Sequence, residues 1–197
     1  MRLLAISRRF FIKFNMLSTK EKKFLLSLAR RTIKIIAEQK TPANEDFYSE
    51  LLAKKSGVFV TLHKAGNLRG CIGYVEGTRP LQEAVIEMAA AAAFEDPRFP
   101  SITTVEIPQI QIEISVLSPL KLINSIEDIE IGVHGLLIEK GFNKGLLLPQ
   151  VAVENKWDRR KFVEFTCLKA GLLKNDWQKK DTTIQTFSAE IFSESEF

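Results

Sequence analysis

The sequence is poor in cysteine and contains no long apolar run. Its two cysteines, Cys71 and Cys167, form no CxxC pair, which argues against a disulfide scaffold or a zinc site and fits a reducing cytoplasm. No stretch approaches the roughly 18 apolar residues of a transmembrane helix, so we predict no membrane span. The sequence also lacks the P-loop, GxGxxG, HExxH, GxSxG and EF-hand patterns. We therefore predict a cytoplasmic protein with no metal site and no cofactor.

The net charge of +4 comes from the N-terminus. Residues 1–15 contain no acidic side chain and four basic ones, which are Arg2, Arg8, Arg9 and Lys13. Because these four account for the whole excess of 28 basic over 24 acidic residues, the rest of the chain is neutral. It therefore lacks the basic excess that is typical of a surface that binds nucleic acid.

Residues 1–16 are predicted to be a basic leader outside the fold, and the folded domain is predicted over residues 17–197. The leader lacks the apolar core and the small-residue cleavage site of a secretory signal. Its phenylalanines among cations leave a membrane-surface helix open as an alternative. We favour an upstream start with Met16 as the functional beginning, because the first folding signal follows directly.

The hydrophobic pattern predicts interspersed helices and hairpins. Ser18 and Glu21 have the spacing of a capping box, which opens a helix to about Gln39, and Asn44 is expected to cap a second helix. Further helices are predicted over 80–94 and 159–170, and strands over 57–63, 68–75, 110–116, 136–140, 146–148 and 183–192. Because no regular strand–helix–strand alternation is present, we predict an α+β fold with a largely antiparallel sheet and flanking helices. Two unequal, closely packed subdomains are expected, with a boundary near residue 118.

The segment 68–73, with the sequence LRGCIG, is the strongest candidate for a functional site. Gly70 and Gly73 flank Cys71 within a predicted strand, where glycine usually marks a bulge or the close approach of another group. Little would then cover the thiol, and Arg69 lies two residues away, so Cys71 is a candidate nucleophile. The alternative is a small buried cysteine that packs as an apolar residue.

The loop of the predicted hairpin decides which side chains face Cys71. A three-residue loop places Thr61 opposite Cys71 and His63 opposite Arg69, with all four side chains on one face. A two-residue loop would turn His63 away from Cys71. We favour the three-residue loop, because the other register would bury Arg69 unpaired beside apolar core residues.

Three other features of the sequence are relevant to a site. His134 lies between two glycines, in a turn that could present its imidazole to a cleft, although many turn histidines are only solvent-exposed. Asp96, Arg98 and Glu95 could form a charged cluster at the end of a predicted helix, where such charges usually serve capping and dipole roles. Cys167 lies among apolar residues of a predicted helix and is expected in the core.

The chain resembles the AMMECR domain family from about Leu17 to Phe192, on several motifs in the same order. These motifs are GVFVTL at 57–62, LRGCIG at 68–73, DPRF at 96–99, IEISVLSP at 112–119, GVHGL at 132–136, GLLLPQVA at 145–152 and WD at 157–158. The resemblance implies a cytoplasmic or nuclear α+β protein of two unequal subdomains, with LRGCIG as the functional centre. It also implies a pathway shared with a Memo-like protein and a radical-SAM protein, and it brings no established reaction.

Two functions from different classes remain open. We favour a binding or adaptor module with a pocket at the Arg69-Gly70-Cys71 hairpin. Its candidate binding residues are Thr61, His63, Arg69, Gly70, Gly73 and His134. The alternative is a cysteine-dependent enzyme or enzyme subunit that uses Cys71 as its catalytic residue. An accessible, reactive thiol would favour the enzyme, whereas an unreactive thiol and a loss of partner binding on hairpin mutation would favour the module.

Overall fold

The structure of the chain is a computed structural model, which describes residues 17–39 and 49–197. Its helices are α1 (Thr19–Ala37), α2 (Glu50–Ala53), α3 (Leu81–Phe94), α4 (Pro149–Glu154) and α5 (Arg159–Lys169). Its strands are β1 (Val58–Lys64), β2 (Asn67–Tyr74), β3 (Ile110–Leu117), β4 (Lys121–Leu122), β5 (His134–Lys140), β6 (Asn143–Leu147) and β7 (Thr183–Ser193). The predicted leader lies outside the described residues.

Helix α1 begins where the sequence predicts it. The Ser18 hydroxyl accepts the Glu21 backbone N–H at 3.3 Å, and the Glu21 carboxylate accepts the Ser18 backbone N–H at 2.7 Å, so the capping box is confirmed. The apolar face of the helix is buried against the sheet. The cap predicted at Asn44 lies outside the described residues, and the short helix α2 is capped by Ser49.

One antiparallel sheet of seven strands forms the centre of the molecule, in the order β2-β1-β3-β7-β5-β6, with β4 also paired to β7. The long strand β7 lies in the middle of this order and links the half formed by β2, β1 and β3 to the half formed by β5 and β6. Its C-terminal half pairs with β3, and its N-terminal half pairs with β4 and β5. Helices flank this sheet, so the predicted α+β class and antiparallel pairing are confirmed.

Two unequal apolar clusters lie between the sheet and its helices. The larger cluster joins α1 and α3 to β1 and β3, and Val60 and Leu62 of β1 are fully buried in it. The smaller cluster joins α4 and α5 to β5, and Phe162 and Cys167 are fully buried in it. The core position predicted for Cys167 is therefore confirmed. The subdomain boundary near residue 118 stays a prediction.

The sheet curls until its two edge strands approach each other. Lys144 of β6 binds Glu76, which follows β2, at 2.8 Å, and it binds Glu139 of β5 at 2.7 Å. On the side of the sheet away from the helices, an aromatic ring lies over a glycine of the neighbouring strand. A Cβ on Gly135 would lie only 2.3 Å from the Phe187 ring, so a larger residue would displace that ring.

The ends of helix α5 also follow the sequence. Asp158 accepts the Lys161 backbone N–H at 2.8 Å, and the helix ends before Gly171, whose φ is +74°. Helix α4 has no counterpart among the predicted elements. In the part of the chain that the structure describes, none of the helices is both long and apolar enough to cross a bilayer.

Candidate functional site

The β1–β2 hairpin turns more tightly than predicted. Ala65 and Gly66 form a two-residue turn with φ angles of +50° and +78°, and Lys64 pairs with Asn67. Positive φ at both central residues is typical of the type I′ turn, whose twist matches that of a hairpin. The predicted three-residue loop is therefore wrong.

A β-bulge in β2 then shifts the register. His63 pairs with Leu68, and the next ladder pair lies beyond Arg69, which is the extra residue. Past the bulge, Thr61 pairs with Cys71 as predicted, because the bulge adds back the residue that the shorter turn removes. The predicted pairing of His63 with Arg69 is wrong.

Arg69 lies with an acidic partner and not beside the thiol. Its Nε and Nη2 each donate to Glu106 at 3.2 Å, and Lys64 Nζ donates to the same carboxylate at 2.9 Å. The hydrogen bonds from Arg69, followed by that from Lys64, lower the pKa of Glu106 to about 2. Lys64 shares a strand face with the buried Leu62, since alternate residues face the same side. The prediction that Arg69 shares the face of Cys71 is therefore wrong, because Glu106 supplies the partner that a buried guanidinium needs.

Asp96 and Arg98 hold the backbone of Cys71 at the edge of the sheet. Asp96 Oδ2 accepts the Cys71 N–H at 2.9 Å, and Arg98 Nη2 donates to the Cys71 carbonyl at 3.0 Å. Because β2 is an edge strand, these two side chains take the place of a neighbouring strand. Arg98 also binds both oxygens of Asp96, through Nε at 2.9 Å and through Nη2 at 2.6 Å.

Asp96 is buried and nevertheless held in its charged form. Only 4% of the residue is exposed. The hydrogen bonds from Arg98 outweigh the desolvation and, with the Cys71 backbone N–H, hold the pKa of Asp96 well below its ordinary value. The fixed carboxylate in turn orients the Arg98 guanidinium, whose side chain is 53% exposed.

The thiol of Cys71 lies near a hydroxyl and a guanidinium. Thr61 Oγ1 donates a hydrogen bond to the sulfur at 3.3 Å, and Cys71 is half-buried. Asp96 is the larger cause of the raised pKa of Arg98, and the interaction with Cys71 raises that pKa further. The cation that binds the backbone of Cys71 is therefore Arg98, whereas Arg69 binds Glu106.

The surface around Cys71 carries polar groups from three strands. Thr61 pairs with Cys71 on one side and with Glu113 of β3 on the other. His63 follows Thr61 by two residues and so lies on the same side of the sheet, away from α1 and α3. We call this surface, formed by the half-buried Thr61, His63, Cys71 and Glu113, the Cys71 face.

The two glycines of the LRGCIG segment are explained by packing. A Cβ on Gly70 would lie 2.1 Å from the carbonyl oxygen of Ala92, so the strand can approach the alanine-rich helix α3 only with glycine here. A Cβ on Gly73 would lie 2.4 Å from the ring of Phe59. Their role in ligand binding stays a prediction.

His134 lies apart from the Cys71 face. It is the first residue of β5, which β1, β3 and β7 separate from β2 in the sheet. It shares a strand face with the buried Leu136, and its Nδ1 accepts the Glu130 backbone N–H at 3.1 Å. Burial is the main reason why the pKa of His134 is lowered. The structure does not bring His134 together with the other predicted site residues, and its role in binding stays a prediction.

The described residues contain no group of three or more histidine, cysteine, aspartate or glutamate side chains placed to hold a metal ion. Two surface clefts have volumes of about 430 and 450 Å³. The first is lined by residues that include Ile126, Ile131 and Arg159, and the second lies beside Arg79 and Glu87. Neither cleft includes a residue of the Cys71 face.

Comparison with known proteins places this site within a family. The AMMECR1 family model matches residues 26–192. The chain belongs to the AMMECR1 family. The match includes the Cys71 face together with Asp96 and Arg98, and it confirms the resemblance that the motifs indicate.

Relatives of this AMMECR1-family chain occur in archaea. The chain is 44% identical over 189 residues to a protein of Methanopyrus kandleri, with 91% of each chain covered. It is 42% identical over 189 residues to a protein of Methanocaldococcus jannaschii, with 92% of this chain and 94% of the relative covered. The crystal structure of an uncharacterized protein from Pyrococcus horikoshii matches with a TM-score of 0.80 and 41% identity, over 88% of this chain and 91% of that one. These matches show the family and the fold and bring no named activity.

Asp96 and Arg98 are the site residues whose role differs from the one that the sequence predicts. Capping of helix α3 was expected, whereas their side chains bind the edge strand β2. One signal was present in the sequence: Asp96 and Arg98 are an acid and a base two residues apart, directly after helix α3, which ends at Phe94. What they bind could not be read from that spacing, because β2 lies about 25 residues earlier in the chain.

Proposed function

We propose that this AMMECR1-family chain is a binding module whose ligand site is the Cys71 face. The observation that carries the proposal is the orientation of Arg98. A buried carboxylate, Asp96, fixes a guanidinium that is itself half exposed, next to a half-buried thiol. Such a fixed cation with open surface around it is suited to an anionic group on a small ligand or on a partner protein.

The remaining hydrogen-bonding capacity of Arg98 supports an anionic ligand. Its Nε and Nη2 are committed to Asp96 and to the Cys71 carbonyl. Among the residues that the structure describes, none accepts a hydrogen bond from Nη1. A carboxylate or phosphate oxygen could bind there, at the edge of the sheet where the same guanidinium holds the Cys71 carbonyl.

The partners in this proposal follow from the family resemblance, which implies a pathway shared with a Memo-like protein and a radical-SAM protein. We propose that the Cys71 face takes part in an adaptor role towards these proteins in the cytoplasm. Residues of the predicted site that pack elsewhere, above all Arg69 and His134, are expected to matter less for this binding than Arg98 does.

A binding experiment with purified proteins tests the proposal. The full chain would be immobilised and its binding to a Memo-like and a radical-SAM protein measured for the wild type, for Arg98→Gln and for Arg79→Gln. Arg79 is a matched control, since its side chain is also about half exposed, at 58%, and pairs with Glu87 away from the Cys71 face. We expect Arg98→Gln to weaken binding and Arg79→Gln to leave it unchanged. Equal binding by the two variants would overturn the proposal.

A cysteine-dependent enzyme is the second candidate, favoured by one specific observation. A hydroxyl that donates to the sulfur and a nearby cation favour a nucleophilic cysteine, and Cys71 has Thr61 on its sulfur and Arg98 on its carbonyl. Cys167 provides an internal control, because it is fully buried and burial raises the pKa of its thiol. The enzyme requires iodoacetamide to modify native Cys71 faster than Cys167, and Thr61→Val and Arg98→Gln to slow that reaction. Equal and slow modification of both cysteines would leave only the binding module.

A further inference from the structure

The tip of the β5–β6 hairpin presents an aromatic side chain to solvent. Gly141 and Phe142 form its two-residue turn, and Phe142 is fully exposed, with a relative exposure of 108%. Leu173, which follows helix α5, is also largely exposed, at 72%. A single exposed apolar residue is common on a protein surface, whereas several that adjoin one another indicate an interaction site.

The hairpin tip and the end of α5 adjoin each other. A Cβ on Gly145 of β6 would lie 2.3 Å from the backbone nitrogen of Ala170, and a Cβ on Gly171 would lie 3.7 Å from Asn143 Oδ1. The exposed apolar residues on these two segments therefore belong to one region of the surface. We call this region, formed by Phe142, Leu168 and Leu173, the hairpin-tip surface.

Cations outnumber acids along the segment that carries the hairpin-tip surface. Residues 140–180 contain ten Lys or Arg and only four Asp or Glu. Lys169 and Lys174 flank the exposed leucines, and both are solvent-exposed, with the Lys174 ammonium 5.6 Å from the centre of the Phe165 ring. Asp176, an acidic residue on the same segment, is buried and bound by Lys179 at 2.6 Å.

Two nearby acids outside that range are also paired. Lys144 binds Glu139 at 2.7 Å, and Lys140 lies 3.5 Å from Asp181. These pairs neutralise Lys140 and Lys144, so the positive charge beside the exposed leucines comes from the solvent-exposed Lys169 and Lys174.

We propose that the hairpin-tip surface docks on an anionic lipid surface. Phe142 projects from a convex turn, whereas the anchor residues of a protein interface usually fill a rigid pocket on the partner. A lipid interface is deformable and accepts a projecting aromatic ring at the level of its headgroups. Lysines beside the tip then lie near the lipid phosphates, and each such contact strengthens binding in a way that salt screens.

The test uses the full chain and vesicles of phosphatidylcholine, with or without phosphatidylserine. We expect binding to the vesicles that contain phosphatidylserine, weakened by added salt. Phe142→Ala should lower the partition coefficient about tenfold, as expected for loss of one large buried apolar group. Lys169→Glu and Lys174→Glu should each lower it several-fold, by roughly fivefold per lost cation.

Matched controls separate the hairpin-tip surface from unspecific attraction. Leu122→Ala removes another exposed leucine, and Lys121→Glu reverses another exposed lysine; both residues are on β4. Neither change should alter vesicle binding. If the control variants weaken binding as much as those at Phe142 and Lys169, the proposal fails.

A fluorescence measurement localises the contact independently of affinity. In Phe142→Trp, lipids brominated on their acyl chains should quench more emission than they quench in the parent chain. Absence of that additional quenching, or binding that does not depend on Phe142, would overturn the proposal. Binding to an immobilised glutamate-rich peptide without binding to vesicles would also overturn it, in favour of an acidic protein partner.

Discussion

Replacement of Asp96 is expected to loosen the edge strand that carries Cys71. The carboxylate accepts four hydrogen bonds, one from the Cys71 N–H and three from Arg98, through its backbone N–H, Nε and Nη2. In Asp96→Ala the half-exposed guanidinium of Arg98 can turn towards water, so the loss of its ion pair with Asp96 costs little. The lost charge-assisted bond to the backbone dominates, and we expect the free energy of unfolding to fall by about 2 kcal/mol.

Urea unfolding of three variants measures this effect. Asp96→Asn keeps the shape and can still accept from Cys71, so we expect it to lose only about 1 kcal/mol. Glu95→Ala is the control, because Glu95 is adjacent and solvent-exposed. If Asp96→Ala unfolds at the same urea midpoint as Glu95→Ala, the clamp on β2 does not stabilise the fold and the reasoning is refuted.

The pH dependence of the same variants gives a second check. Because the folded-state pKa of Asp96 lies below its unfolded-state value, its contribution is present above about pH 4 and is lost as the pH falls towards the folded-state pKa. The difference in unfolding free energy between wild type and Asp96→Asn should therefore shrink below about pH 4. A difference that stays constant into acid would contradict the low pKa.

Three further changes test other parts of the structure. Gly70→Ala should destabilise the fold by several kcal/mol, since the added Cβ would lie 2.1 Å from the Ala92 carbonyl oxygen. A thermal midpoint unchanged from wild type would show that β2 and α3 can move apart without loss of stability. Asp158→Ala should cost about 1 kcal/mol in urea unfolding through loss of the cap on Lys161, and an unchanged midpoint would exclude that role. Burial lowers the pKa of His134, so the free energy of unfolding should fall as the pH drops below about 6.5. His134→Gln should remove this part of the pH dependence. An identical pH profile for the variant and the wild type would contradict the lowered pKa of His134.

Local signals in the sequence predicted most of the secondary structure. The capping box at Ser18 and Glu21 fixed the start of α1, and the helix predicted over 80–94 is α3, which begins one residue later at Leu81. These predictions succeeded because their causes lie within a few residues of the element. Helix α4 was missed because it has only six residues, too few for a helical period to be recognised beside the apolar run of β6.

The candidate site was harder to predict, because it is assembled from distant segments. The pairing of Thr61 with Cys71 was predicted correctly, but through the wrong loop, since nothing in the sequence announces the bulge at Arg69. The sequence does not show the partner of Arg69, and burial of a lone guanidinium costs several kcal/mol, so the sequence favours a register that leaves Arg69 on a polar face. Glu106, which is 37 positions away, removes that cost.

The sequence by itself determined the family, the α+β class and the order of the main elements, because helix caps, turn residues and alternating apolar residues act over short distances. Only the tertiary structure decided which cation stands beside Cys71. That choice depends on the strand order, which leaves β2 at the edge of the sheet, and on the end of α3, which brings Asp96 and Arg98 to that edge. An unpaired strand edge needs hydrogen-bonding partners, and a buried carboxylate needs a cation, so the two requirements are met together at Cys71.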